Sequence, residues 1–368
     1  MKFSCEKNQL LESVSIVSKA INNACAIDIL KGIKIEAEDK IKMLGSDLDL
    51  SVESIFDATI EETGKIIVDT RIFSDIIRKL PDGIVQIETD DKSELKISCM
   101  NTKFNILYLS AEGYPEIKKL DQGESFKIYS SDLKSIIKNT IFAISTNESR
   151  PILTGSKFEI KGSNLRVISI DGYRLALRNQ IIPDTGDTEF SFVVPGRALN
   201  ELLKILKDDS TIVEITVHEN SVMFTFENYS IIARLLEGEF MDYNKFIPSS
   251  ASVTVKTDVK KFTDMVERAS IIINYDDPKI PIILNIKDSL INVECISKRG
   301  NFDESIDVEH HGDDLKIGIA SKLLTDTLKS IECEEAIMEF NTAQSPCVLK
   351  PTEGNSFVYM VLPIRLKN

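Results

Sequence analysis

Histidine occurs only 3 times in this chain of 368 residues, and the common catalytic signatures are missing. GxxxxGKS, GxxxxGKT, GxGxxG, GxSxG and HExxH all fail to appear, so phosphate-loop, dinucleotide, serine-hydrolase and zinc-protease readings have no motif to rest on. No CxxC pair occurs among Cys5, Cys25, Cys99, Cys295, Cys333 and Cys347. Scattered thiols in a chain this long read as reduced residues and not as a disulfide frame. Cys5, Cys99 and Cys295 lie in strand-like runs, where a buried small hydrophobe is the ordinary role. No run approaches the ~18 apolar residues of a membrane span. The opening "MKFSCEKNQL" is charged and carries no signal-peptide core, so a cytoplasmic protein is expected.

Neither a metal nor a cofactor is expected. His310 and His311 are neighbours on a strand and would point to opposite faces. His218, in "TVHENS", falls at an expected hairpin turn. Asp47 and Asp49, in "GSDLDLSVES", would share one strand face as a carboxylate pair, but nothing nearby suggests an acid-base partner. An unrecognised hydrolase built on Asp47, Asp49 or His218 is therefore the weaker reading, and a non-catalytic binding protein the stronger one.

Net charge is −14, which taken alone argues against nucleic-acid binding. Its distribution says more. Six amphipathic helices are expected at 7–21, 70–80, 131–145, 196–207, 257–272 and 320–331. They hold 15 Lys/Arg and 8 Asp/Glu, so the rest of the chain carries a net of −21. An acidic body with basic helices suits a ring through which an anion passes.

Those helices belong to a pattern that recurs three times, about every 125 residues. "KFSCEKNQLLESVSIVSKAI", "SFKIYSSDLKSIIKNTIFAIS" and "SVTVKTDVKKFTDMVERASII" each run from a strand into a helix. A second such unit follows each: "KIIVDTRIFSDIIRKL", "SFVVPGRALNELLKIL" and "KIGIASKLLTDTLKSI". In this second set Arg71, Arg197 and Lys322 are equivalent, as are Arg78, Lys204 and Lys329. Members of each pair are seven residues apart and share a helix face. In "RIFSDIIRKL" the expected apolar stripe is Ile72, Phe73, Ile76, Ile77 and Leu80, with Lys79 among the residues off it.

Between helices the chain alternates with period two. "KGIKIEAEDKIKMLGSDLDLSVES" is expected to break at Glu38-Asp39 and Gly45, and a second hairpin to turn at Asp90-Asp91. Residues 112–125 and 237–252 carry Gly, Pro and acidic residues without a period and read as linkers. The expected fold class is α+β, with three pseudo-repeated domains of two helices and antiparallel sheets each. Their expected bounds are 1–121, 122–247 and 248–368.

Two strings look built for a partner. Asp171-Gly172 signals a turn, followed by the amphipathic Tyr173-Arg174-Leu175. The C-terminal "FVYMVLPIRLKN" is apolar nearly to its last residue. A solvated hairpin turn and a buried edge strand are the plainer alternatives.

"IDGYRLA" and "LPIRL", with "MKFSCEKNQLL", "GSDLDLSV" and "EGEFMDYNKFIP", resemble the bacterial DNA polymerase III beta subunit family, the sliding clamps, from end to end. The resemblance implies the DNA-clamp architecture and a head-to-tail dimeric ring without catalytic activity. Such a ring holds duplex DNA independently of sequence and tethers the polymerase III alpha subunit, the clamp loader and other replication and repair proteins. Helices about 10–12 Å across give a hole near 10 Å if six close the circle, and nearly 30 Å if twelve do, so two chains are needed to surround a duplex. The resemblance places the partner cleft at Leu153, Ile170, Gly172, Tyr173, Arg174, Leu175, Met241, Lys245, Phe246, Met360, Leu362, Pro363, Ile364, Arg365 and Leu366. Ile170, Tyr173 and Met241 stand where Thr, His and Pro are frequent, which implies a greasier cleft. Arg150 matches a basic pore position and joins Arg71, Arg78, Lys79, Lys138, Arg197, Lys204, Lys322 and Lys329 as expected DNA-facing residues. Ala24 stands where some relatives have a DNA-touching Arg. The implied dimer seam joins Lys103, Phe104 and Ile106 to Ile271, Ile272, Asp303 and Glu304 of the partner. Burial of Ile271 and Ile272 inside their own domain is the alternative, and a repeat scaffold without a DNA role is the alternative for the whole.

Overall fold

The computed structural model describes the chain except residues 23, 91, 117–119, 121, 184–187, 278–279 and 367–368. The expected turn residue Asp91 and parts of the 112–125 linker thus lie outside the described residues. Each of six α-helices directly follows a strand. Lys2–Glu6 leads into α1 (Lys7–Val17), Gly64–Asp69 into α2 (Thr70–Lys79) and Glu124–Tyr129 into α3 (Ser130–Lys138). Glu189–Pro195 leads into α4 (Gly196–Leu203), Val253–Asp258 into α5 (Val259–Asn274) and Leu315–Ala320 into α6 (Ser321–Leu328). Asp69 and Asp258 cap α2 and α5 by accepting from the N–H of Ile72 and Lys261, at 3.0 and 2.9 Å.

Several helices are shorter than their periodicity suggests. After Lys138 the Thr140 hydroxyl donates to the Ile136 carbonyl at 2.8 Å, a bond that competes with the helical ladder, and a 3-10 turn at Ile141–Ala143 follows. After Leu203 the ladder tightens, with the N–H groups of Lys204 and Ile205 reaching the carbonyls of Glu201 and Leu202. Lys19, Lys204, Lys207 and Lys329 therefore fall beyond the helices, whose net charge drops to +4. In α2 the buried stripe is Phe73, Ile76 and Ile77, continued by Leu80, while Ile72 is 52% exposed.

The first hairpin also departs from expectation. Gly45 lies inside the strand Ile41–Ser46, because a Cβ there would sit 2.6 Å from the Val17 carbonyl at the end of α1. The turn comes two residues later, at Asp47–Asp49, with Leu48 at φ +80. All six cysteines are free, and Cys5, Cys99, Cys295 and Cys347 are buried.

The residues form two compact units, Met1–Ser131 with Asn200–Leu235, and Asp132–Leu199 with Leu236–Asn368. In the first unit, strands of the sequence's middle third complete a 13-stranded sheet begun by its first third. Tyr229–Arg234 pairs antiparallel with Leu50–Phe56, Tyr229 opposite Ser54 and Ile231 opposite Val52. The second unit does the same with the middle and last thirds. Arg174–Ile181 pairs with Phe357–Val361 in a 9-stranded sheet, Leu175 opposite Met360. A separate 5-stranded sheet ends on Gly300–Asp307 at one edge and Pro363–Ile364 at the other. Backbone pairing thus crosses the repeat boundaries, which satisfies edge groups that each third alone would expose.

Candidate functional site

The turn at Asp171 is held by its own side chain: Asp171 Oδ1 accepts from the N–H of Tyr173 at 2.8 Å and of Arg174 at 3.0 Å. Gly172 supplies φ +92, which few side-chain-bearing residues adopt. This leaves Tyr173 67% exposed. Arg174 is not the solvated arginine of a plain hairpin. Its Nε bonds Asp171 Oδ2 at 2.9 Å, its Nη1 bonds Asp326 Oδ2 on α6 at 2.8 Å, and its guanidinium lies 5.3 Å from the Phe142 ring centroid. Arg174 is a brace between the turn and α6.

The C-terminal segment meets that turn. Leu362 N–H donates to the Tyr173 carbonyl at 2.9 Å. Ile170, Leu175 and Met360 are buried in one cluster with Ile168, Leu177, Tyr243 and Val348, and Leu362 packs on it half-buried. Beyond it, Pro363 and Ile364 pair with Ile319 and Gly318. Gly318 is small because Leu366 fills the space: a Cβ would meet its Cδ2 at 2.6 Å. Met241 is half-buried, Phe246 is 43% exposed, and Lys245 pairs with Asp242 at 3.1 Å. Arg365 is exposed. Leu153 is buried but does not belong to this cluster. Phe357–Val361 is an internal strand, so the buried-strand alternative describes that stretch, whereas Leu362 to Leu366 remain at least partly open.

Three of the expected DNA-facing residues have a defined ion pair. Arg78, Lys204 and Lys329 each hold an intrachain carboxylate, Asp75 at 3.1 Å, Glu201 at 2.8 Å and Glu267 at 2.5 Å. All three basic side chains and the carboxylates of Asp75 and Glu267 are well solvated, so those two pairs contribute little to stability and open easily, while Glu201 is only 19% exposed and Lys204, at 56%, is the solvated end of its pair. Arg71, Lys79, Lys138, Arg150, Arg197 and Lys322 are exposed, as is Ala24.

Two of the strand edges left open among the described residues carry the expected seam positions. Thr102–Ser110 pairs with Glu94–Cys99 through Leu107 and with Gly64–Asp69 only from Tyr108 onward. Gly300–Asp307 pairs only with Leu290–Ser297. Lys103 is exposed, Phe104 is 37% exposed and Ile106 is half-buried on the first edge. Near the second, Ile271 is 56% exposed, while Ile272 packs against the core of its own unit. Asp303 is exposed. Glu304 is held by Arg268 through Nε at 2.8 Å, and that hydrogen bond, more than the accompanying charge, keeps its carboxyl below the usual range. Sequence reasoning missed Leu107 at 73%, Leu109 at 56%, Tyr275 at 77% and Ile296 at 72% exposure. A signal existed: "NILYLS" is apolar on both strand faces, which a half-solvated strand would not be.

The residues of the hydrolase alternative do not assemble. Asp49 and His218 line one cavity of about 760 Å³ with Ser46, Ser51 and Arg234, but no hydrogen bond joins them among the described residues. Asp47 and Asp49 are not on a strand face. They sit in the turn, where Asp47 Oδ1 accepts from the N–H of Leu50 at 2.9 Å. His310 and His311 lie opposite Val255 and Thr254 on alternate faces, and no group of three metal-donor side chains occurs among the described residues.

Comparison with known proteins gives a match along the whole chain. Residues 1–118, 127–242 and 244–365 match the N-terminal, central and C-terminal domains of the DNA polymerase III beta subunit. The chain is 33% identical to the beta sliding clamp of Bacillus subtilis (strain 168) over 376 residues, covering 99% of this chain and 100% of that one. It is 31% identical to the beta sliding clamp of Staphylococcus aureus over 376 residues, covering 99% of each. Among solved structures, the DNA polymerase sliding clamp from Bacillus subtilis superposes with a TM-score of 0.96 at 33% identity, covering 100% of both chains. The beta subunit from the DNA polymerase of Streptococcus pyogenes gives 0.94 at 26% identity with the same coverage.

Proposed function

The chain belongs to the DNA polymerase III beta subunit family and has its three-domain clamp fold, and from that premise we propose how its surfaces carry out the work of a DNA polymerase processivity factor. The proposed bounds of the domains are 1–121, 122–247 and 248–368. Processivity by a clamp replaces affinity with topology. The protein need only surround the duplex, touch phosphates weakly and read no bases, because base readout would stop sliding. Nothing in that task requires catalysis, and no catalytic role is proposed.

One observation carries the ring: two open strand edges, Thr102–Ser110 and Gly300–Asp307, each bordered by large exposed apolar side chains. Open edges with apolar borders invite another strand. In a head-to-tail dimer the first edge of one protomer takes the second edge of its partner, and the arrangement closes at two copies. Leu107, Leu109, Tyr275 and Ile296 then join Phe104, Ile106 and Ile271 in the seam. Glu304 contributes through its exposed backbone edge, since its carboxylate is committed to Arg268.

The basic residues face the DNA. Arg78, Lys204 and Lys329 are each tied to a weak internal partner and exchange it for passing phosphates. Arg71, Lys79, Lys138, Arg150, Arg197 and Lys322 give the sequence-independent attraction. The cleft at Tyr173, Phe246 and Leu362 to Leu366 takes an apolar, aromatic-bearing peptide of the polymerase alpha subunit, the clamp loader or other replication and repair proteins. Such a protein works in the cytoplasm, at the nucleoid during replication. The test is retention: protein loaded on nicked circular DNA should stay bound through gel filtration in high salt and run off once the circle is cut. Equal retention on both forms would refute topological binding.

A further inference from the structure

The sheet face that carries the cleft continues into a polar cavity. Residues directly opposite one another in register share a face. Ile170 lies opposite Leu175, Ile168 opposite Leu177 and Arg166 opposite Asn179, with Glu159 opposite Arg166. The face therefore changes from apolar to charged between Leu177 and Asn179. Around Arg166 and Asn179 lies a cavity of about 1030 Å³.

Its charges are unevenly satisfied. Lys157 pairs with Glu159 at 2.7 Å and Lys161 with Glu189 at 2.9 Å. Arg166 instead spends its donors on neutral acceptors: Nε on Asn179 Oδ1 at 2.9 Å and Nη1 on the Tyr243 hydroxyl at 3.1 Å. Among the described residues no carboxylate lies within ion-pair distance of its guanidinium, and Nη2 has no partner. A half-buried guanidinium with an open edge matches a carboxylate oxygen. Amide and hydroxyl side chains of Asn164, Ser191 and Asn355 line the same space.

Tyr243 links this cavity to the cleft. Its ring is buried with Leu175 and Met360, and its hydroxyl donates to Glu159 Oε2 at 2.6 Å. The segment that holds it faces both ways: Asn244 lines the cavity, and Met241 and Phe246 belong to the proposed cleft. From the Leu175 row to the Asn179 row is four residues of strand, about 13 Å, a distance that about four residues of extended peptide cover.

We propose that the cavity beside Arg166 is a second recognition site, taking a carboxylate side chain on the segment that flanks a partner's apolar anchors; it rests on the cleft assignment made above. The acidic body of this chain repels an acidic segment at long range, so recognition comes from the local guanidinium and survives moderate salt.

Titration calorimetry decides it with three probes: a neutral Leu/Phe-bearing peptide, the same peptide extended at either end by glutamates about four to six residues from the anchors, and glutarate alone. On wild type one extended peptide should bind about tenfold tighter than the neutral one, the effect of one charge-assisted contact. Arg166→Gln should erase that gain and leave the neutral peptide unchanged. Ser191→Trp, which fills the cavity from the exposed strand and spares the network, should do the same. Arg166→Lys should keep only part of the gain, since lysine lacks the fork. Competition by free glutarate against the gain alone would support the site and show that a carboxylate suffices. Equal affinity of extended and neutral peptides for wild type, or a gain that persists in both Arg166→Gln and Ser191→Trp, would overturn it. Failure of the neutral peptide to bind wild type would refute the cleft. Glutarate would then decide the cavity, with binding lost in Arg166→Gln in favour and no binding to wild type against.

Discussion

Arg174 stands where a peptide contact was expected, yet its side chain is only 10% exposed and bonded to two aspartates. Removing it as Arg174→Ala leaves Asp171 and Asp326 without their shared counter-ion, at a cost of about 3 kcal/mol. Urea unfolding should show that loss, and Tyr173→Ala, at the exposed tip of the same turn, should stay within about 0.5 kcal/mol of wild type while weakening peptide binding. Glu332 works in a comparable way on Arg178, at 3.2 Å, and accepts from the Ser135 hydroxyl. Burial pushes its carboxyl up, but hydrogen bonds from Asn139 and Ser135 and the charge of Arg178 outweigh that and hold it below the ordinary 4.5. A depressed carboxyl stabilises the fold above its unfolded value and ceases to do so as pH falls through its folded value. The stability gap between wild type and Glu332→Gln should therefore be full at neutral pH and close below pH 4.5. A gap independent of pH would exclude the charge as its source.

At the scale of elements, strands and helices were legible where the periodicity was clean. All six strand–helix units were visible, because each apolar alternation runs directly into a 3.6-residue stripe. Helix ends were not: Thr140 bonding back to Ile136 is a local competition that residue spacing does not encode. Gly45 read as a breaker because its role, room for the Val17 carbonyl, is a tertiary contact. The proposed cleft rests on resemblance and on an unusually apolar chain end; Leu107 had a signal in the doubly apolar "NILYLS", whereas Tyr275 and Ile296 were hidden because exposure depends on which sheet edge is left open. That edge sets a sharper test of the seam. Ile271→Asp should give a monomer of 41.3 kDa that remains fully folded, whereas Ile272→Asp should also lower unfolding stability by several kcal/mol, since its side chain packs on its own core. Native mass and thermal unfolding together separate the two. Deleting 362–368 should weaken peptide binding by about 2 kcal/mol or more and leave the protein dimeric. Calorimetric equality between truncated and full chains would place the partner site elsewhere.

For the whole molecule, reversing Arg71, Arg197 and Lys322 to Glu should shorten retention on circular DNA without altering dimer mass, and residual binding to linear duplex should fall steeply with salt. Tight, sequence-selective binding to a short duplex would contradict sliding. The sheet that crosses from the first third into the middle third also has a meaning for synthesis. Leu50–Phe56 leaves the ribosome long before Tyr229–Arg234, the strand that closes its edge; 173 residues separate Phe56 from Tyr229. At about 5–20 residues per second the nascent chain displays an unfinished edge for roughly 10–35 s. During that interval the growing polypeptide is its own hazard, and this is where a chaperone at the tunnel exit would be needed most.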